Sequence, residues 1–304
     1  MTAHSPAVSD PLRVQPRADV GAPAGKQTVR RTRIIAEACA NHLGDRKLQE
    51  DMIHAAAEAG ADYIKFQSWQ AVKNRRGQAE HMAPFELSDD DHHRLLEIAR
   101  RAGIGWATTV FDVERVDFVA SLGLDFVKVA SPDCGSLRLL QKLAPVAKKI
   151  VLSTGMSDQE EIEASVAAVR AAGTPLVLLH CIYPLVDGYY HLRRMLWLRR
   201  YVPEVGLSDH SAGDDLRASL AAIALGADWL ERHFILDRRL KTKDAPVSVD
   251  VRGLRELVEA AAEPRAHENL LRRFPELLGE AQPQLSHQVL QLKSFYVGRW
   301  GDNR

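Results

Sequence analysis

From Arg33 onward the chain alternates short apolar runs with longer amphipathic segments, and this alternation restricts the fold more than any other feature. The apolar runs span 34–38, 63–67, 105–109, 126–130, 150–153, 176–181, 205–208 and 229–234. Each has strand length, and several are apolar throughout, as parallel strands covered on both faces should be. The intervening segments repeat apolar residues at three- and four-residue spacing, the helical period. LQEDMIHAAAEA at 48–59, EEIEASVAAVRA at 160–171 and the segment 214–225 carry it. Gly60, Gly103, Gly123, Gly173 and Gly226 follow helical patterns, where a left-handed cap belongs. Eight strands and about eight helices within 34–263 predict an α/β chain folded as one (β/α)₈ TIM barrel. A doubly wound open sheet is the alternative. It would carry a Gly-rich phosphate loop after its first strand. Here the first run leads into Glu37-Ala38-Cys39-Ala40-Asn41-His42-Leu43-Gly44, with no GxGxxG.

The flanks differ in texture. Residues 1–32 are rich in Ala, Pro, Gly and Arg and lack an apolar stretch, so they read as a flexible N-terminal arm and not a secretory signal. Residues 264–304 contain Pro264, Pro275 and Pro283 and read as a C-terminal extension packed on the catalytic barrel of 33–263. The most apolar later stretch, 218–230, has 13 residues, too few to span a bilayer. Lys+Arg and Asp+Glu both number 40, so no basic surplus points to nucleic acid or a membrane surface. Cys39, Cys134 and Cys181 form no CxxC pair, which favours a reducing cytoplasm.

A TIM barrel does its chemistry at the carboxyl ends of its strands. The polar residues there are Glu37 and Asn41-His42 after the first run, Lys65 and Gln67 in the second, and Thr108-Thr109 in the third. Lys128 and Ser131 follow in the fourth, Ser153-Thr154 in the fifth, and His180-Cys181 with Tyr183 in the sixth. Ser208-Asp209-His210 end the seventh, and Glu231 and His233 the eighth. Any one of these has a bland reading: a solvated lysine, a capping serine, a hydrogen-bonded core histidine. Lys65 and Lys128 together do not, because burying an unpaired ammonium is costly and calls for an anion opposite it. A phosphate or carboxylate ligand satisfies both, with the hydroxyls of Thr109, Ser131, Ser153 and Ser208 completing a cradle. His210 and His233 lie on neighbouring strands and suit a divalent metal such as Mn²⁺, Co²⁺ or Zn²⁺, with positions left open for water and substrate. Glu37 and Asp209 are the candidate acids or bases, Asp209 having helix capping as its alternative.

The ordered motifs resemble the sialic acid (N-acetylneuraminate) synthase family. IIAEACANHLGDRKLQEDMIHAAAEAGADYIKFQ at 34–67 is similar to that family's IAE-x-x-x-NH-x-G and GAD-x-x-KFQ patterns. LSDDDHHRL, VKVAS, LSTGM, LHC, GLSDH and ERHFILD follow in the family's order, and the likeness covers about 34–250. The resemblance implies a metal-dependent condensation of phosphoenolpyruvate with a sugar-derived aldehyde, giving a 3-deoxy-2-ulosonic acid and phosphate. It implies phosphoenolpyruvate contacts for Lys65, Thr109, Lys128, Ser131, Ser153 and Ser208. His210 and His233 become metal ligands, with Mn²⁺ the first expectation and Mg²⁺ or Co²⁺ as alternatives. Glu37 becomes the catalytic acidic residue, and Gln67, Tyr183 and Asp244 touch the sugar. Asn41 joins the substrate-binding set through the NH motif.

Three departures bear on the acceptor. The family's LHC-x-[NS]-x-YP appears as His180-Cys181-Ile182-Tyr183-Pro184, shorter by about two residues. GPDH-x-x-S appears as Thr242-Lys243-Asp244-Ala245-Pro246-Val247-Ser248, with Ala245 in place of a histidine. The 41 residues of 264–304 do not resemble the antifreeze-like domain that caps the bacterial synthases. Specificity comes from contacts made to one substrate and withheld from another, so the acceptor is expected to differ from N-acetylmannosamine. A barrel aldolase using pyruvate and a non-catalytic sugar-binding relative are the competing readings. A homodimer is the default oligomer for such a barrel.

Overall fold

The computed structural model describes residues 31–181 and 190–304. The chain forms a closed barrel of eight parallel strands in sequence order, with β8 returning to pair with β1. The strands are β1 (Arg33–Glu37), β2 (Tyr63–Ser68), β3 (Gly105–Val110), β4 (Val127–Val129), β5 (Ile150–Ser153), β6 (Leu176–Cys181), β7 (Glu204–Asp209) and β8 (Trp229–His233). All eight expected strands are present, with no end displaced by more than one residue. Helices Arg46–Glu58, Asp89–Ala102, Gln159–Ala171 and Arg217–Ala224 are among those that cover the outside. Their starts follow local chemistry. Ser88 and Asp158 form capping boxes with Asp91 and Glu161, and Asp45 and Asp250 cap two further helices. Among the described residues no helix is long and apolar enough to cross a membrane.

The last residues of the chain run along the loops at the carboxyl ends of the strands. Trp300 stacks on Trp69 with ring centroids 4.5 Å apart and meets Phe111 edge-on. Arg299 donates to Gln78, and its carbonyl accepts from the Arg75 amide. Asn303 donates to the Phe111 carbonyl and to Asp133, each at 2.9 Å. From the helix His287–Tyr296, the Tyr296 hydroxyl accepts from Lys243 in the loop after β8. Segments following β2, β3, β4 and β8 thus share one strap of chain.

Three imidazoles enclosed by the fold give it an acid sensitivity. His42, His92 and His180 are buried, and burial pushes them down to about 4, about 4 and about 3. Their folded values lie below the unfolded value of 6.5. Between those limits the unfolded chain binds more protons, so stability present at neutral pH is lost as the pH falls. By pH 5 the loss is on the order of 2 kcal/mol per histidine. Buried Asp133, raised by burial to about 6, and buried Glu37, raised to about 7, offset part of this, since each holds a proton more tightly when folded. The urea midpoint is therefore expected to fall between pH 7 and pH 5, and an unchanged midpoint contradicts this assignment.

Candidate active site

Strand alternation positions the site. Ile35, Ala107, Phe126, Val151, Leu179 and Trp229 pack with Tyr63 as an apolar layer inside the barrel. Two residues further along the same strands stand Glu37, Thr109, Lys128, Ser153, Cys181, Glu231 and Lys65. The apolar floor is thus succeeded by a charged layer facing the carboxyl end. Ser208 takes the same place on β7, two residues after Gly206. A Cβ at Gly206 would lie 2.0 Å from the Trp229 carbonyl oxygen, so only glycine lets the two strands meet there.

The charged layer is tightly knit. Lys65 pairs with Glu37 and donates to Thr109 at 2.7 Å, and its ammonium lies 3.7 Å from Glu231. Lys128 donates to Ser153 at 2.7 Å and to the Val129 carbonyl at 2.9 Å, and lies 3.9 Å from Glu231. Ser208 donates to Glu231 at 2.7 Å. All four charged side chains are almost fully buried. Burial works against ionising Glu231, but Lys128 and Lys65 outweigh it and hold the carboxyl at about 2. Glu37 goes the other way. Burial, reinforced by the Glu231 charge, pushes it up to about 7 against the pull of Lys65. The layer thus sets Lys65 and Lys128, the latter lowered by burial, against one firm carboxylate and one carboxyl that near neutrality is close to its midpoint. This electrostatic balance favours an incoming anion.

Above this layer lies a set of side chains of the types that can hold a metal ion. The rings of His210 and His233 are 4.9 Å apart, and the Cys181 sulfur is 3.7 Å from His210 Nδ1. His233 Nδ1 is enclosed and has no hydrogen-bond partner among the described residues. Burial lowers the His233 ring to about 4, so it stands neutral, as a ligand must. Cys39 Sγ, a His233 nitrogen and an Asp244 carboxylate oxygen all lie within 4.8 Å of one another. An orphaned imidazole nitrogen among such donors fits a divalent cation.

The description "NeuB family" belongs to the family model that matches residues 52–269. The chain belongs to that family. The N,N'-diacetyllegionaminic acid synthase of Campylobacter jejuni is 35% identical over 252 residues, 75% of each chain. The N-acetylneuraminate-9-phosphate synthase of Homo sapiens is 32% identical over 247 residues, 75% of this chain and 68% of the relative. The crystal structure of a sialic acid synthetase from Leptospira borgpetersenii superposes with a TM-score of 0.73 at 28% identity, covering 87% of this chain and 91% of that one.

The residues singled out in the sequence fall into three groups. Glu37, Lys65, Thr109, Lys128, Ser153 and Ser208 meet in the charged layer. His233 and Asp244 belong to the donor cluster, His210 lies against His233, and Gln67 divides its amide between Cys39 and Trp69. Ser131 accepts from the Gly155 amide at the rim. Asp209 and Asn41 stand apart. Asp209 has the opposite parity to Ser208 and His210, so its carboxylate points outward. There it pairs with fully buried Arg232 at 2.8 Å and accepts from Ser211 and Ser219. Asn41 donates to the Phe234 carbonyl and Ser248 and accepts from Thr242, tying the loops after β1 and β8 together. Tyr183 lies outside the described residues. Sequence reasoning gives Glu231 no role of its own. Its signal was present: a glutamate inside an apolar run, with the same parity as His233.

Proposed function

We propose that the chain condenses phosphoenolpyruvate with a sugar or sugar-derived aldehyde, using a divalent cation, to give a 3-deoxy-2-ulosonic acid and phosphate. The observation that carries this reading is the pair of buried lysines with only one firmly ionised carboxylate between them. Phosphoenolpyruvate offers a phosphate and a carboxylate to match. Thr109 and Ser153 aim the two ammonium groups, and Ser208 holds Glu231 where both lysines feel it.

His210 and His233 would hold the cation, for which Mn²⁺, Co²⁺ and Mg²⁺ are the first ions to test. Such an ion supplies Lewis acidity toward an aldehyde carbonyl. The methylene carbon of phosphoenolpyruvate forms the new C–C bond, and a water oxygen adds to the carbon bearing the phosphate. That carbon then loses phosphate by C–O cleavage. Glu37, near its midpoint at neutral pH, takes the proton from this water or returns one to the new hydroxyl. The C-terminal strap supports a closed acceptor side made by the chain itself. Arg299 sits in it with its Nε enclosed and without a partner among the described residues, close enough to Cys39 for their charges to interact. A polar acceptor group would satisfy it.

Phosphate release from phosphoenolpyruvate across a panel of amino-sugar aldehydes tests this. Release is expected only with both an acceptor and a divalent ion, and chelation should abolish it until metal is restored. Release that survives chelation, or none from folded, metal-loaded protein with any acceptor, overturns the reading.

A further inference from the structure

Cys39 occupies the bend just after β1 with φ 45°, in the left-handed region. A side chain there costs on the order of 1 kcal/mol, and such strain persists only where its surroundings enforce it. The effect of the bend is to turn the sulfur into the site. Gln67 donates to Sγ at 3.0 Å, and the thiol shares a hydrogen bond with the Asp244 carboxylate. The same sulfur stands with a ring nitrogen of His233 and a carboxylate oxygen of Asp244 in the donor cluster, and His233 Nδ1 has no hydrogen-bond partner among the described residues. A thiol, an imidazole and a carboxylate therefore converge from the loop after β1, the end of β8 and the loop after β8. The thiol proton facing Asp244 occupies ground that a cation could take.

We infer that Cys39 is itself a ligand, gripping the divalent cation together with His233 and Asp244 and making the site prefer thiophilic ions such as Zn²⁺ and Co²⁺ over Mg²⁺ and Mn²⁺. The inference rests on His233 binding metal, as in the proposed function, and adds the sulfur. On binding, the S–H proton leaves to solvent, a sulfur–metal bond replaces it, and no group changes oxidation state. A soft thiolate and the ordinary order of divalent affinities both favour the later ions, so the preference follows from donor type.

Titration of the metal-free full-length protein with Co²⁺, read by absorption, tests the assignment. One equivalent should raise a near-ultraviolet thiolate-to-cobalt charge-transfer band. Cys39→Gly suits the left-handed bend, so folding is not at risk, and it should lose the band. Cys181→Ser controls for the sulfur beside His210 and should keep it. Competition against a chromophoric chelator should show the Zn²⁺-to-Mn²⁺ affinity ratio falling about 100-fold in Cys39→Gly. Stoichiometric Co²⁺ binding that needs His233 but shows no band, or a band that survives Cys39→Gly, overturns the role of Cys39 and leaves the metal reading standing. Wild-type protein that binds no Co²⁺, or binding indifferent to His233→Ala, overturns both.

Discussion

Replacing Lys128 by methionine is expected to lower kcat/KM for phosphoenolpyruvate on the order of 1,000-fold, the scale for losing one preorganised charge partner at a reacting group. Lys128 is almost fully buried and held by Ser153 and the Val129 carbonyl, so the change removes a positioned charge and not a mobile surface one. Methionine keeps most of the stem volume, and circular dichroism should show the barrel retained. Glu231 loses one of its two counter-charges, so its carboxyl should rise from about 2. Steady-state kinetics at saturating acceptor measure the effect. A loss of less than tenfold would remove Lys128 from the anion site.

Arg232→Met should have the largest effect on stability. Arg232 is fully buried, pairs with Asp209 at 2.8 Å, and also donates to Ser211 and to the Ala212 and Asp215 carbonyls. Removing it leaves the Asp209 carboxylate enclosed without its counter-charge, a loss of about 3–5 kcal/mol. For a barrel of this size that lowers Tm by about 10 °C. Combining Arg232→Met with Asp209→Leu should recover much of the loss, because the uncompensated charge goes too. Differential scanning calorimetry decides it, and an unchanged Tm in the single variant contradicts the pairing.

These two residues show what could and could not be read from sequence. Lys65 and Lys128 were legible because a lysine inside an apolar strand run must point into the barrel, and only an anion makes that tolerable. The eight strands were legible because buried parallel strands are apolar throughout. Asp209 is adjacent to His210 in the chain yet faces the opposite way, and only the parity of β7 separates the proposed metal ligand from a structural ion pair. Arg232 sits between Glu231 and His233 for the same reason. Asn41 has the composition of a substrate contact, but its partners come from more than 190 residues away, and no local pattern predicts that. Nor does any local pattern put a non-glycine residue at φ 45°, which is what turns Cys39 toward His233. The C-terminal strap is held by single long-range contacts such as Trp300 on Trp69, which leave no periodic trace.

The proposed condensation turns on loss of the phosphate of phosphoenolpyruvate by C–O cleavage. Turnover of phosphoenolpyruvate carrying a heavy-oxygen label in the bridging position tests this most directly. The label should depart entirely with inorganic phosphate, and the new keto acid should take its oxygen from water. Label retained in the keto acid would mean P–O cleavage and would contradict the account.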